Sequence, residues 1–215
     1  HRFDYDTPIE ETTQALHVIV KAIHVRYINM SPCWPYQYHA INQNITPFVS
    51  VQNHHSSLYR DEEREMFPTL KHFDADSIPW SPLGRELLAR HIDGKTLRLK
   101  TDGYIPSRLS WRTDELTALL CRVEELAEKG VSMTQISTAW IMNKPGITAP
   151  IIGTTSPRNL ADILGALEVT FTEAEMKDLE EPYQTLKVLG HALCFDVNFH
   201  NCDVGGRRPR RKCCK

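Results

Sequence analysis

The sequence predicts an α/β fold built on a parallel sheet. Strand-like and helix-like segments alternate along the chain, the order of βαβ units. The strand-like segments are short and apolar, as in sheets covered on both faces. Most helical segments open on a capping signature of their own.

Taken in order, TPIEETTQALHVIVKA reads as the first helix. Thr7 is its expected N-cap, Pro8 its first helical position and Glu10 the partner in a capping box. Ile9, Leu16, Ile19 and Val20 give it a buried stripe. VRYINMS is the first strand and FVSVQNH the second, with Phe48, Val49 and Val51 apolar. Asp61, Glu62 and Glu63 are expected in the first turn of a helix running through REMFPTLKHF, where the helix dipole favours carboxylates. SIPWSPL is the third strand. A polar connector follows from Arg90 to Arg112, a length that is uncommon and often functional.

TDELTALLCRVEELAEKG is a strong helix. Thr113 caps it, Leu116, Leu119, Leu120, Val123, Leu126 and Ala127 form its stripe, and Gly130 ends it. Cys121 is placed on its apolar face. SMTQISTAWIMN opens with a second capping box, Ser132 to Gln135. Pro145-Gly146 turns the chain into ITAPIIG, the fourth strand, and Ser156-Pro157 starts the next helix. TEAEMKDLEE repeats the capping box with Thr172 and Glu175. No repeat of fixed period is found. Periodicity ends near Gly190, so residues 1–186 are read as one domain and 187–215 as an irregular, disordered tail.

Composition bounds the class. The chain has 215 residues, 41% hydrophobic and 24% charged, which is ordinary for a soluble domain with a real core. No apolar run approaches the length of a membrane span, and the N-terminal residues lack an apolar signal core, so a cytoplasmic address is expected. The formal net charge of -2 argues for no partner by itself. Arg207, Arg208, Arg210, Arg211, Lys212 and Lys215 concentrate in the tail, where a solvated basic block is the plain reading and nucleic-acid contact the weaker one. The six cysteines match no zinc spacing. His54 and His55 adjoin in a strand and so point to opposite faces; no metal site is expected.

Ligands of parallel α/β folds sit at the carboxyl ends of the strands. Polar or flat side chains follow all four strands: Asn29-Met30-Ser31, Gln52-Asn53-His54, Trp80 to Arg85, and Gly153 to Ser156. An amide such as Gln52 can hold another amide. The Trp80 ring offers a stacking surface. Backbone N–H groups after Gly153 open a helix N-terminus, where a phosphate is stabilised. Arg85, Arg90, Lys95, Arg98 and Arg158 add positive charge. Amide, flat ring and two phosphate sites are what a nicotinamide dinucleotide presents. Each residue also has a plain reading: Gly153 as room for the helix, Thr155 and Ser156 as caps, Trp80 as core, Arg85 and Arg90 as solvated charges. Placement after successive strands is what favours the ligand.

The segments HRFDYDTPIEET, VRYI, QNHHSSLYRDEEREM, IPWSPLGRELLAR and ISTAWIMNKPGITAPIIGTTSPRNLADILGAL resemble the aldo-keto reductases. The likeness is strongest to the microbial and fungal aryl-alcohol dehydrogenase and channel beta-subunit type. It runs from His1 to Tyr183, with 58–66, 78–90 and 138–153 the most specific stretches. The resemblance implies a (β/α)8 TIM barrel that binds NADP(H) and reduces aldehydes and ketones, so the partner is a small carbonyl or alcohol. By the same resemblance Ser31 and Gln52 would lie at the nicotinamide carboxamide and Trp80 on its ring. Ser81, Leu83 and Arg85 would follow the pyrophosphate. Gly153, Thr155, Asn159 and Asp162 would surround the adenosine end, with Arg98 or Arg158 on the 2′-phosphate. His1 would be the histidine that orients the carbonyl.

The departures shape the remaining expectations. The family's catalytic aspartate, tyrosine and lysine have no counterpart here, so the chain alone is expected to be inactive; a non-catalytic cofactor-binding or partner-binding module is the alternative. Asn29 and Pro32 replace a usual glycine and polar residue. The segment Trp34 to Thr46 is short for a crossing helix, and Pro35 is expected to interrupt it. The fold expected is therefore a partial barrel, its C-terminal half, with about four parallel strands and their covering helices. Its two open edges, at VRYIN and APIIG, and an apolar interior turned to water predict instability or self-association.

Overall fold

A computed structural model describes residues 3–32, 34–91, 114–128 and 130–185. His1, Arg98, Thr113, most of the polar connector and the tail from 187 lie outside the described residues. Three short strands form a parallel sheet in the order β1 (Asn29–Met30), β2 (Ser50–Val51), β3 (Asp76–Ser77). Asn29, Ser50 and Asp76 stand in register, as do Met30, Val51 and Ser77. The ladder runs on past each strand: Gln52 N donates to Met30 O and Trp80 N to Asn53 O, both at 2.8 Å.

Segment 147–151 lies on the far side of β3. Ile147 pairs with Ser77 and Ile151 with Trp80, both parallel. One extra residue sits between these two bridges compared with the partner segment, which marks a bulge. Pro150, which has no N–H to donate, falls inside it. ITAPIIG therefore makes two separate bridges where an uninterrupted strand was expected. The segments containing VRYIN and APIIG are the outer members of the sheet among the described residues.

The faces of the sheet differ. Met30, Val51 and Ser77 share one face and are all buried. On the other face Asn29 and Asp76 are exposed, and Ser50 and Gln52 half-buried. Among the described residues only one face of the strands is covered, and the open face mixes polar side chains with Ile78 and Trp80. Alternation puts Asn29, Ser50, Gln52 and Asp76 on that face, and Asn29 Nδ2 donates to Ser50 Oγ at 2.9 Å across it.

Helices cover the other face. They are α1 (Ile9–Lys21), α2 (Trp34–Asn42), α3 (Met66–His72), α4 (Asp114–Ala127), α5 (Met133–Met142), α6 (Pro157–Leu164) and α7 (Glu173–Glu180). Ile28, Met30, Phe48 and Val51 pack with Tyr36 of α2 and with Met66 and Leu70 of α3, and Ile9, Leu16 and Val20 of α1 close the cluster. A second core joins Leu58 and Leu88 to Leu119, Leu120, Val123 and Leu126 of α4, Ile136, Trp140 and Ile141 of α5, and Leu179 of α7. The stripe expected on α4 is thus the one buried, and Gly130 follows that helix at φ +109°. The capping boxes Ser132–Gln135 and Thr172–Glu175 both form, and Ser156 caps α6 with Pro157 at its first position.

Four local expectations are corrected. Thr7 does not cap α1: its hydroxyl donates to Asp4 Oδ2 at 2.6 Å, and Pro8 takes the cap position without a side-chain bond. The helix begins at Ile9, one residue later than expected, so the cap falls on Pro8, whose side chain has no acceptor. Pro35 does not interrupt α2; it stands in the first turn, where no intrahelical N–H is needed. Asp61–Glu63 form their own 3-10 turn, separated from α3 by Arg64 and Glu65. Cys121 is exposed, not on the buried face of α4.

Candidate functional site

Parallel pairing brings Ser31, Gln52, the Trp80–Arg85 loop and Gly153 to the same end of adjacent segments. Of the residues singled out in the sequence these are the ones the topology unites; His1 and Arg98 lie outside the described residues.

Gln52 is half-buried on the open face. Trp80 follows on the same face, half-buried, with the His54 ring stacked on it at 4.2 Å between centroids and 13° between planes. Tyr59 stacks on His54 in turn, at 4.8 Å. One side of the indole is therefore braced by an aromatic pile, and a flat ligand would have to use the other. The Tyr59 side chain is 1% exposed and ends the pile on its buried side.

The loop after Trp80 is backbone-strained. Ser81, Gly84, Arg85 and Glu86 all have φ between 54° and 81°. At Ser81, Arg85 and Glu86, which are not glycine, this costs of order 1–3 kcal/mol each, and such residues concentrate at functional sites. Successive N–H groups in mixed helical senses make a concave anion-binding surface. A Cβ at Gly84 would meet Leu58 of the core, so the loop is held tightly against it. Leu83 opens the 3-10 turn Gly84–Ala89, and Arg85 is half-buried.

The second junction is relaxed. Gly153 has no positive φ, and a Cβ built there meets nothing within 4 Å among the described residues. Neither backbone conformation nor packing against α6 calls for glycine. A closely approaching ligand would, and the same open space would receive a nucleotide phosphate. Ser156 Oγ accepts from Asn159 N at 3.4 Å, and Thr154 Oγ1 accepts from Ser156 N at 3.2 Å. Thr155 and Arg158 are exposed beside them. Asp162 points elsewhere: its carboxylate accepts from Ser132 Oγ at 2.9 Å and Gln135 Nε2 at 3.2 Å, which ties α6 to the start of α5. Its part is to hold the helix that carries the junction.

Behind the sheet lies a polar set that the sequence reading passed over. Asn53 is 0% exposed. Its Oδ1 accepts from Ser77 Oγ at 2.7 Å, and its Nδ2 donates to Glu62 Oε2 at 3.2 Å. Burial pushes the Glu62 carboxyl up to about 7, against the Asn53 bond that lowers it and with the Asp61 charge that raises it further. Beside it Arg60 and Lys144 share Glu63 and Glu180 at 2.8–3.2 Å. Both cations lie over the Trp140 ring, at 5.5 and 5.3 Å. Burial opposes the Arg60 charge, but its bonds to Glu63 and Glu180 outweigh it and raise its pKa. His55 packs on Trp140 and Phe67, away from His54, as adjacent strand residues should. Burial first, then the Lys144 and Arg60 charges, hold its pKa down to about 3. No pattern in sequence joins residue 60 to residue 180; an Asn directly after Gln52 was the one visible hint of the buried amide.

Among the described residues no helix is long and apolar enough to cross a membrane. A sequence model of the Aldo/keto reductase family matches residues 1–184, and the chain belongs to that family. It is 40% identical over 198 residues to a Schizosaccharomyces pombe protein named aryl-alcohol dehydrogenase, covering 88% of this chain and 55% of the relative. A Saccharomyces cerevisiae protein of the same name is 37% identical over 191 residues, covering 86% and 55%. Versiconal hemiacetal acetate reductase of Aspergillus parasiticus is 38% identical over 192 residues, covering 85% and 55%. The chain thus spans about half the length of these relatives.

Proposed function

We propose that the chain is the cofactor-binding part of an NADP(H)-dependent carbonyl reductase with a (β/α)8 barrel. The observation that carries this is the alignment of Gln52, Trp80, the strained 81–86 loop and Gly153 at one end of adjacent parallel segments. Gln52 and Ser31 would hold the carboxamide, and the exposed part of Trp80 would bear on the nicotinamide ring. The N–H groups of the 81–86 loop would take the pyrophosphate. The Gly153–Ser156 junction and the first turn of α6, with Arg158, would take the adenosine phosphate. When bound, the dinucleotide supplies the hydride. The residues here orient it and keep its ring against the open face.

Among the described residues the site shows no evident source of the proton for the carbonyl oxygen. Tyr59 is buried under His54. By the family resemblance, the aspartate, tyrosine and lysine would belong to strands that the 215 residues do not match. Cofactor binding without turnover is the behaviour expected of this chain alone. In the whole protein the reaction would be reduction of an aldehyde or ketone to the alcohol.

Titration by intrinsic fluorescence tests this reading. NADPH should bind more tightly than NADH by about tenfold or more, because a charged contact to the 2′-phosphate contributes about 1.5–3 kcal/mol. Equal affinities would remove the specificity for NADP(H), and no binding of either would remove the reading itself.

A further inference from the structure

We propose that Asn53 and Glu62 are positioning residues, which fix the Trp80 ring and the Gln52 amide from behind the sheet. The inference rests on the cofactor reading above and deepens it.

Asn53 follows Gln52 directly, and its side chain points to the opposite face. Its carbonyl and both ends of its side-chain amide are hydrogen-bonded to other elements. Its carbonyl accepts from Trp80 N at 2.8 Å, its Oδ1 accepts from Ser77 Oγ at 2.7 Å, and its amide donates to Glu62 Oε2 at 3.2 Å. Ser77, itself buried, passes the tie on: its carbonyl accepts from Thr148 N at 2.9 Å. One amide therefore joins β2, β3 and the 61–63 turn at the sheet end that carries the site, on a backbone that Thr148 N extends to the 147–151 segment. A fully buried Asn at a position where an apolar side chain would fill the core is a costly choice unless its geometry is used.

Glu62 gives the tie a dependence on pH. The groups that act on it are Asn53 from β2 and Asp61 on its own turn. The other charged neighbours are engaged with one another: Arg60 and Lys144 with Glu63 and Glu180. His55 stays neutral there. Burial raises the Glu62 pKa from 4.5 to about 7 in the folded protein. A raised pKa means that the stabilising contribution is complete below the unfolded value and is lost as pH rises through the folded one. The Asn53 bond favours the charged carboxyl, so the tie itself tightens as Glu62 ionises between pH 6 and pH 8, while overall stability falls as pH rises from 4.5 to about 7.

The test uses the whole chain, without and with NADPH. Without ligand, tryptophan emission should change between pH 6 and 8 with a midpoint near 7 in the wild type. The change should vanish in Trp80→Phe and in Glu62→Gln. With NADPH, affinity should strengthen at least threefold from pH 6 to pH 8 relative to Glu62→Gln, a comparison that cancels the titration of the ligand's own phosphate. Asn53→Ala should weaken NADPH binding at least tenfold under conditions where it remains folded by circular dichroism. Persistence of the emission change in Glu62→Gln, or its absence from the wild type, overturns the proposal. So does a folded Asn53→Ala protein with unchanged affinity. If Asn53→Ala fails to fold, the Glu62→Gln comparison decides. An emission change that behaves as described in a chain that binds no NADPH would leave the tie standing and remove the cofactor reading alone.

Discussion

The loop after Trp80 and the junction after Ile152 stand at the same end of the sheet and are built in opposite ways. The first holds its shape by strain: Ser81, Gly84, Arg85 and Glu86 are all at positive φ, and Gly84 presses on Leu58. The second holds its shape by side-chain bonds. Ser156 caps α6, Thr154 accepts from Ser156 N, and no residue from 150 to 160 has a positive φ. An anion site needs N–H groups aimed at one point. A strained loop aims them by fixing the backbone against a core, and a capped helix aims them by its regular geometry. The first arrangement depends on tertiary packing, the second on local chemistry.

The largest expected effect belongs to the strained loop. Gly84→Ala puts a methyl group on a left-handed backbone and into Leu58, itself part of the core around Leu88. The backbone term is about 1–2 kcal/mol and overpacking about 1–3 kcal/mol. A total loss of about 2–5 kcal/mol is expected in urea unfolding. A loss below about 1 kcal/mol would show that the loop is not pinned, and would erase the contrast.

A middle effect belongs to the cap. Ser156→Ala removes the oxygen that accepts from Asn159 N at 3.4 Å. The bond is long, so about 0.5–1 kcal/mol is expected, at the low end for caps. Ser156→Asn, which can cap, should restore it. Thermal unfolding of both variants checks this.

The same contrast explains what was legible in the sequence. Ser132–Gln135, Thr172–Glu175 and Ser156–Pro157 were read correctly because a cap is a contract between residues three apart. Thr7 carried the same signature, but α1 starts at Ile9 and puts Pro8 at the cap, leaving the Thr7 hydroxyl turned to Asp4 Oδ2. The α4 stripe was legible because periodicity reports a buried face; Cys121 sits off that stripe and is exposed. The acidic run 61–63 looked like a solvated first turn. Two of its members instead face inward, to Asn53 and to the Arg60–Lys144 pair, partners set by the fold and not by spacing. The positive φ values at Ser81, Arg85 and Glu86 were not legible either, since none of these residue types asks for that conformation. That Gln52, Trp80 and Gly153 share one end of the sheet was legible because topology alone sends the ends of parallel strands to one place.

The smallest effect on stability is expected where the ligand argument is sharpest. Gly153 is at an ordinary φ and a Cβ there touches nothing described, so Gly153→Ala should change stability by no more than about 0.5 kcal/mol. It could even stabilise slightly, because alanine restricts the unfolded chain. If the open space is where the adenosine phosphate comes close to the backbone, the same methyl group should weaken NADPH binding about tenfold, since a displaced charge-assisted bond is worth about 1.5–3 kcal/mol. Stability and affinity thus separate at this residue, whereas at Gly84 they should fall together. Measuring both quantities on both alanine variants compares the two loops directly. A Gly153→Ala protein that binds NADPH as well as the wild type would mean that the glycine marks no ligand. The junction would then be what its hydroxyls already make it, the capped start of a helix.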